Sequence, residues 1–152
     1  MSRTHRFFRY WLPVLLWMTL IFGASGDSQS AQTSSRIIGP VVKFFLPDIS
    51  PARLEQIIFA ARKTAHVTEY AILSWLLARA LLTPGTPYGQ WRLKLALIAW
   101  VIAALYSASD EIHQAFVPNR EARFGDVALD SFGAALGLVA LYYFGRWRKY
   151  WQ

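Results

Sequence analysis

A dense run of ionisable and amide side chains, residues 107–133, lies between two apolar stretches that are each long enough to cross most of a bilayer. An acid, base or amide next to hydrocarbon is costly unless it meets a partner or water, so such groups are candidates for function. The run therefore constrains the chain to a fold in which these side chains meet one another, or a ligand. The ionisable and amide groups in question are Asp110, Glu111, His113, Gln114, Arg120, Asp126 and Asp130.

The composition supports a single domain, residues 1–152, that lies in lipid. Apolar residues make up 55% of the chain and charged residues 16%, where a soluble domain has about 25% charged residues. No cysteine is present, which excludes disulfides, thiolate nucleophiles and cysteine-based zinc sites.

The net charge is +7, but the basic residues form no stripe along the sequence and no recognisable nucleic-acid-binding motif. We therefore predict no nucleic-acid partner and interpret the basic residues as topology signals.

The hydropathy pattern predicts an all-α, polytopic membrane protein with a bundle of four transmembrane helices. The predicted spans are about residues 8–24, 57–82, 93–112 and 127–145. The first stretch has the basic start and small-residue end of a signal peptide, but we favour a retained helix because the topology requires it. The apolar patch from Ile37 to Leu46 is interrupted by Gly39-Pro40 and is too short to span, so it is expected to lie at the interface or to cap the bundle.

The longest predicted helix begins after Ser50-Pro51, which is an N-cap followed by proline at the first helical position. The helical pattern continues to Leu82, where Thr83-Pro84-Gly85 stops it. A helix of this length measures roughly 48 Å, more than the ~30 Å hydrocarbon core. Its first turns should therefore project into the headgroup region.

The distribution of basic residues predicts the orientation. With a cytoplasmic N-terminus, nine basic residues and no acidic residue fall on the inner side, as the positive-inside rule favours. We expect both termini to be cytoplasmic and the protein to be a multi-pass protein of the bacterial inner or plasma membrane. The nine are Arg3, Arg6, Arg9, Arg79, Arg92, Lys94, Arg146, Arg148 and Lys149.

The polar residues of three predicted helices fall at one level of the membrane. They lie early in the second and fourth helices and late in the third, which runs in the opposite direction. Lys63, His66 and Tyr70 share one helix face through their spacing. We expect one outward-facing recess formed by Lys63, His66, Glu69, Tyr70, Asp110, Glu111, Gln114, Arg120 and Asp130.

Two of these stretches resemble the signatures of the VanZ-like membrane proteins. Residues 63–73, with Lys63, His66, Tyr70 and Leu73, are similar to K-x-x-H-x-x-x-Y-x-x-L. Residues 111–120 are similar to E-x-x-Q-x-F-x-P-x-R, which in this family is followed by an aspartate and G-x-x-x-G. The resemblance covers about residues 55–145, and one departure is Asn119, where the family usually has glycine. It implies a membrane fold and a link to teicoplanin resistance, but no substrate.

The chemistry of these side chains suggests a cell-envelope enzyme acting on a lipid-linked or phosphate-bearing substrate. His66, with Glu69 or Glu111 as its partner, would be the general acid or base. Lys63 and Arg120 would hold an anionic group, and Gln114 and Tyr70 would orient the substrate. Asp110 and Asp130 complete the predicted substrate-binding set, although Asp130 could instead only favour the positive end of a helix dipole.

Other interpretations of the polar residues remain open. They could form a self-neutralising network that fixes helix register, or a non-enzymatic module that binds a glycopeptide, a lipid or a partner protein. We rank transport lower, because the inner half of the predicted bundle has no ionisable side chain that could form a polar route through the membrane.

The spacing of His66 and Glu69 matches no strong zinc signature, so neither a metal nor a cofactor is predicted. Gly133 and Gly137 form a GxxxG pair that allows close helix approach and a possible homo-oligomer.

Overall fold

The computed structural model describes residues 3–25, 30–82, 90–117 and 123–150. This part of the chain is helical, contains no strand, and comprises five helices. They are α1 (Arg3–Ser25), α2 (Ser30–Phe45), α3 (Pro51–Leu82), α4 (Leu93–Ala115) and α5 (Phe124–Trp147). The predicted all-α class is confirmed, and the bounds of α3 agree with the start and stop signals in the sequence.

Three of these helices are long and apolar enough to cross a membrane, namely Phe7–Ser25, Leu93–Ala115 and Phe124–Trp147. They include the first, third and fourth predicted spans, so the protein is a membrane protein. The second predicted span, within α3, is not among them by length and composition. The reason is composition and not length, since Lys63, His66 and Glu69 in its first half and Arg79 near its end lower the average hydropathy of this helix.

Helix α3 is central to the fold, since it packs against α1, α2, α4 and α5. Its largest fully buried side chains are Tyr70, Leu73 and Leu77. Leu73 and Leu77 belong to a core that also includes Val14 of α1 and Ala103 of α4. A helix with neighbours on several sides can place polar groups against protein, and Lys63, His66 and Glu69 of α3 are only a quarter to a third exposed.

The closest helix approach is between α3 and α5, at Gly133 and Gly137. A methyl group at Gly133 would lie 2.5 Å from the carbonyl oxygen of Val67, and one at Gly137 would overlap the carbonyl oxygen of Ala71. The predicted close approach of a neighbouring helix is confirmed, and that neighbour is α3 of the same chain. This glycine face is therefore covered within one copy, while association between copies stays a prediction.

Helix α1 is held to the bundle by side chains that donate to backbone carbonyls. The indole of Trp17 donates to the carbonyl of Glu69 at 2.9 Å, and the hydroxyl of Tyr106 donates to the carbonyl of Met18 at 2.6 Å. Both acceptors lie inside helices, where a carbonyl accepts a second hydrogen bond through its free lone pair. These hydrogen bonds fix the position of α1 along its own axis relative to α3 and α4.

Helix α2 contains nearly all of the apolar patch that the sequence predicted to be too short to span. The chain is helical through Gly39 and Pro40, although a proline in a helix interior removes one backbone hydrogen bond and its ring crowds the carbonyl of residue i−4. The helix packs on α3 and exposes Ile37, Val41 and Phe44, as expected for a helix too short to span.

Candidate functional site

The polar side chains of α3, α4 and α5 meet at one end of the bundle, as the sequence predicted. Six residues of this group are at most 5% exposed although each has a polar or ionisable side chain. They are Tyr70, Ser107, Asp110, Glu111, Gln114 and Asp130. Because the burial of such groups is costly without partners, the arrangement around each of them indicates what the site can do.

His66 lies between two carboxylates. Its Nδ1 atom is 3.8 Å from Oδ1 of Asp130 and 4.0 Å from Oε2 of Glu69. The other oxygen of Asp130 accepts a hydrogen bond from Ser107 at 2.8 Å. Asp130 is almost fully buried, whereas a quarter of the His66 side chain is exposed. A histidine with one accessible edge and a fixed carboxylate behind it can exchange protons with a bound molecule.

The partner of His66 was predicted in part. Glu69 lies beside it, as the sequence suggested, and Asp130 is at a similar distance. Glu111 is engaged elsewhere, because its Oε2 accepts a hydrogen bond from the backbone N–H of Arg123 at 2.9 Å. The pairing of α3 with α5 through the two glycines brings Asp130, one turn before Gly133, next to His66.

Asp110 connects α4 with the end of α1. Its Oδ2 atom accepts hydrogen bonds from Ser25 at 2.6 Å and from Gln114 at 3.1 Å. Gln114 thereby lies beside Asp110, one helical turn away. Ser25 was missed by the sequence analysis, where it belonged to a stretch of small residues. A buried hydroxyl of this kind carries no local sequence signal, since its role depends on which helix faces it.

Lys63 donates to Oδ1 of Asp126, and about a quarter of each side chain is exposed. The N-cap position of α5 is Arg123, which makes no side-chain cap hydrogen bond. Asp126 lies in the first turn of α5, where the helix dipole favours a carboxylate. From this position its side chain also contacts the ammonium group of Lys63 on α3.

Two buried carboxylate oxygens, Oδ1 of Asp110 and Oδ1 of Asp130, have no hydrogen-bond partner among the described residues. Buried polar atoms in native proteins are nearly always satisfied, so each exception needs an explanation. Both atoms belong to side chains whose other oxygen is held by a serine. Each carboxylate therefore has a fixed orientation and one oxygen that can still accept a proton or a hydrogen bond.

The remaining predicted residues are placed as follows. Tyr70 is fully buried, with its ring 6.4 Å from that of Tyr106. The ring of His113 stacks on that of Phe22 of α1, with ring centroids 4.1 Å apart. Arg120, which was predicted to bind an anion, lies outside the described residues.

Within the ranges described, no three histidine or acidic side chains are grouped in a way that could hold a metal ion.

The fold and this cluster define a class of protein, an all-helical membrane protein with a polar, acid-rich site at one end of its bundle. The sequence model of the VanZ/LLP1 family matches residues 8–145, which is nearly the whole chain. The chain therefore belongs to the VanZ/LLP1 family, and the resemblance in its signatures is confirmed. No curated protein and no solved structure matches the chain.

Proposed function

We propose that this protein is an envelope enzyme of the cell membrane that uses His66 for acid–base chemistry on a lipid-linked or phosphate-bearing substrate. The observation that supports it most is the position of His66 between Asp130 and Glu69, with Asp130 oriented by Ser107. Imidazole is the side chain best suited to move protons near neutral pH. A carboxylate within ion-pairing distance favours the protonated form of an imidazole, and such a pair can take part in acid–base chemistry.

The proposed roles of Asp130, Glu69 and Lys63 are supported by their positions. Asp130 provides the buried charge beside His66, and Glu69 lies on its more exposed side. Lys63 is assigned to the anionic group of the substrate, and so is Arg120, on its place in the sequence signature alone. Lys63 keeps an exposed fraction although it donates to Asp126, and a phosphate oxygen can share its three donors with that carboxylate. Through such a substrate the protein would affect the envelope and hence glycopeptide resistance.

The orientation proposed for the chain places this site on the outer side, with both termini cytoplasmic and four spans. This orientation is supported by the absence of acidic residues from the predicted inner side.

Because the chain has no cysteine, single cysteines introduced near the termini and near Asp48 can be labelled without a background signal from native thiols. A membrane-impermeant maleimide should label the cysteine near Asp48 in intact cells and the terminal ones only after lysis. The reverse pattern would overturn the orientation.

The test of the enzymatic proposal is the pair of variants His66→Asn and Asp130→Asn. Each should abolish turnover, seen as new masses when purified protein is incubated with envelope lipid extract, while expression in the membrane persists. Any teicoplanin tolerance conferred by the wild-type protein should disappear in parallel. His113→Asn is the matched control, since it removes a histidine at the same end of the bundle that lies outside the carboxylate pair. Full turnover by His66→Asn would refute the proposal.

A second candidate is a non-enzymatic module that binds a glycopeptide, a lipid or a partner protein at the same face. It is favoured by the internal pairing of the cluster, since Lys63 meets Asp126, and Asp110 is held by both Ser25 and Gln114. Groups that satisfy one another can fix a surface without catalysing a reaction. Saturable binding from the lipid extract with no change in mass would identify this function.

A further inference from the structure

An aromatic contact joins α4 and α5 at the end of the bundle that lies away from the His66 cluster. The rings of Trp91, just before α4, and Tyr142, near the end of α5, have centroids 5.3 Å apart and meet edge to face. Trp91 also packs against the apolar core. Because both rings are half-buried, this pair fixes the start of α4 next to the end of α5.

Arg146 is held against this aromatic pair. Its guanidinium donates to the hydroxyl of Tyr142 at 3.2 Å and lies 6.0 Å from the centroid of the same ring. A guanidinium has five N–H donors, and this side chain is exposed, so further donors are accessible to a group from outside the protein. The planar fork of a guanidinium matches the oxygens of a phosphate.

The basic residues at this end have no acidic side chain near them in the sequence. Residues 70–109 and 131–152 contain no aspartate or glutamate. The nearest acid on the same helix is 16 residues from Lys94 in α4 and 16 residues from Arg146 in α5, which is about 24 Å along each axis. That separation exceeds the screening length of about 8 Å at physiological ionic strength. The anion that neutralises these bases therefore comes from another molecule.

An apolar groove on the outer face of α4 begins at the same place. It has a volume of about 500 Å³, begins at Leu93 and Lys94, and ends at Val101 and Ile102. Leu97, also in its lining, is 53% exposed, as expected for a surface in contact with lipid. From Leu93 to Ile102 the helix rises by about 14 Å, and one leaflet of the hydrocarbon core is about 15 Å thick. The groove therefore matches an ordinary acyl chain within one leaflet.

We propose that the start of α4 and the end of α5 form a site for an anionic phospholipid. The phosphate lies at Arg146, Lys94 adds charge at the start of the groove, and one acyl chain lies along α4. A lipid fits better than a soluble anion because the basic side chains adjoin an apolar groove. An anionic lipid fits better than a neutral one because this end of the chain has no acid to neutralise its bases.

The proposed lipid site is independent of the proposed enzymatic function. It lies at the opposite end of the bundle from His66, and in the orientation proposed above it faces the inner leaflet. It can therefore be tested by binding alone, without a turnover assay.

The experiment measures lipid binding to the full chain in neutral detergent by native mass spectrometry, with phosphatidylglycerol and phosphatidylcholine as probes. The wild-type protein should bind phosphatidylglycerol saturably and phosphatidylcholine at least about tenfold more weakly. Arg146→Gln, which removes the bidentate donor, should weaken binding of phosphatidylglycerol by about tenfold. Equal binding of the two lipids by the wild-type protein would overturn the inference.

Arg148→Gln is the matched control for Arg146→Gln. It removes the same charge from the same exposed end of the chain, but Arg148 lies over the ring of Trp147 and not over Tyr142. Binding of phosphatidylglycerol by this variant should change by less than about twofold. Equal losses in the two variants would show diffuse attraction between charges and no site, and the inference would fail. Both side chains are exposed, so Tm should stay at the wild-type value in both variants.

A gentler variant tests whether Tyr142 positions Arg146. Tyr142→Phe removes the hydroxyl that accepts from the guanidinium but keeps the ring and every charge, so binding of phosphatidylglycerol should fall while Tm stays unchanged. Tyr143→Phe removes the hydroxyl of the exposed neighbouring residue and should bind as the wild type does. Unchanged binding by Tyr142→Phe would refute the positioning of Arg146 by the aromatic pair.

Glycerol 3-phosphate, which has the phosphate but no acyl chain, distinguishes a lipid site from a site for soluble anions. At the same concentration it should not displace phosphatidylglycerol from the wild-type protein, because it gains nothing from the groove on α4. Displacement as effective as that by phosphatidylglycerol itself would show that the groove contributes no affinity and would overturn the assignment to a lipid.

Discussion

The segment of α3 from Lys63 to Tyr70 and the segment from Ala71 to Leu82 are packed by different means. The first meets its neighbours through ion pairs and hydrogen bonds to carboxylates of α5. The second meets them through small and apolar contacts, with Leu73 and Ala78 fully buried and Gly137 against its backbone. The comparison shows that one helix can be packed by apolar contacts along one segment and by polar and charged contacts along the other.

The difference has an energetic basis. Apolar burial and close packing stabilise the second segment wherever the side chains fit. Buried ionisable groups contribute little net stability, because the desolvation of each charge offsets much of its attraction to the partner. A protein keeps such groups when they serve function or fix helix register. We therefore expect substitutions in the two segments to separate stability from activity.

The largest loss of stability should come from Gly137→Ala. The added methyl group overlaps the carbonyl oxygen of Ala71 and lies close to the hydroxyl of Ser74, so α5 must move away from α3. Overpacking of this kind costs about 1–3 kcal/mol, which a thermal unfolding curve in detergent would show as a clear fall in Tm. Gly125→Ala is the control, because a methyl group there meets nothing within 4 Å. Equal Tm values for the two variants would contradict the packing described for α3 and α5.

A smaller loss should follow Ser25→Ala, which removes the hydroxyl that donates to buried Asp110. Leaving one acceptor of a buried carboxylate without this donor costs about 1–3 kcal/mol, at the lower end here because Gln114 still donates to the same oxygen. The end of α1 should then become more sensitive to proteolysis. Ser109→Ala is the control, since Ser109 is exposed and donates only to the Tyr106 carbonyl of its own helix. Identical protease sensitivity in both variants would argue against a role for Ser25 in holding α1.

The smallest effect on stability is expected for the Lys63 and Asp126 pair. Both side chains are a quarter exposed, and pairs that retain contact with solvent contribute about 0–1 kcal/mol. A double-mutant cycle with Lys63→Met and Asp126→Asn, followed by chemical denaturation, measures the coupling directly. A coupling well above this range would mean that the polar segment of α3 stabilises the fold as strongly as the apolar one, and the contrast between the segments would fail.

Part of this structure was predictable from the sequence because the signals are local. Ser50-Pro51 and Thr83-Pro84-Gly85 mark the two ends of α3. The GxxxG pair indicated a close helix contact, which Gly133 and Gly137 make. The patch around Gly39-Pro40 was expected to be too short to span, and α2, which contains it, is not among the helices long enough to cross a membrane.

Sequence alone determined where α1, α3, α4 and α5 lie along the chain and that the polar groups of the last three fall at one end of the bundle, because helix rise and hydropathy depend on residues close together in the chain. It did not determine that Asp130 lies beside His66, that Ser25 donates to Asp110, or that Lys63 pairs with Asp126. Those pairings depend on the rotation of each helix about its axis and on how closely α3 and α5 cross. Only the tertiary structure decides these, because they result from the packing of all the helices together.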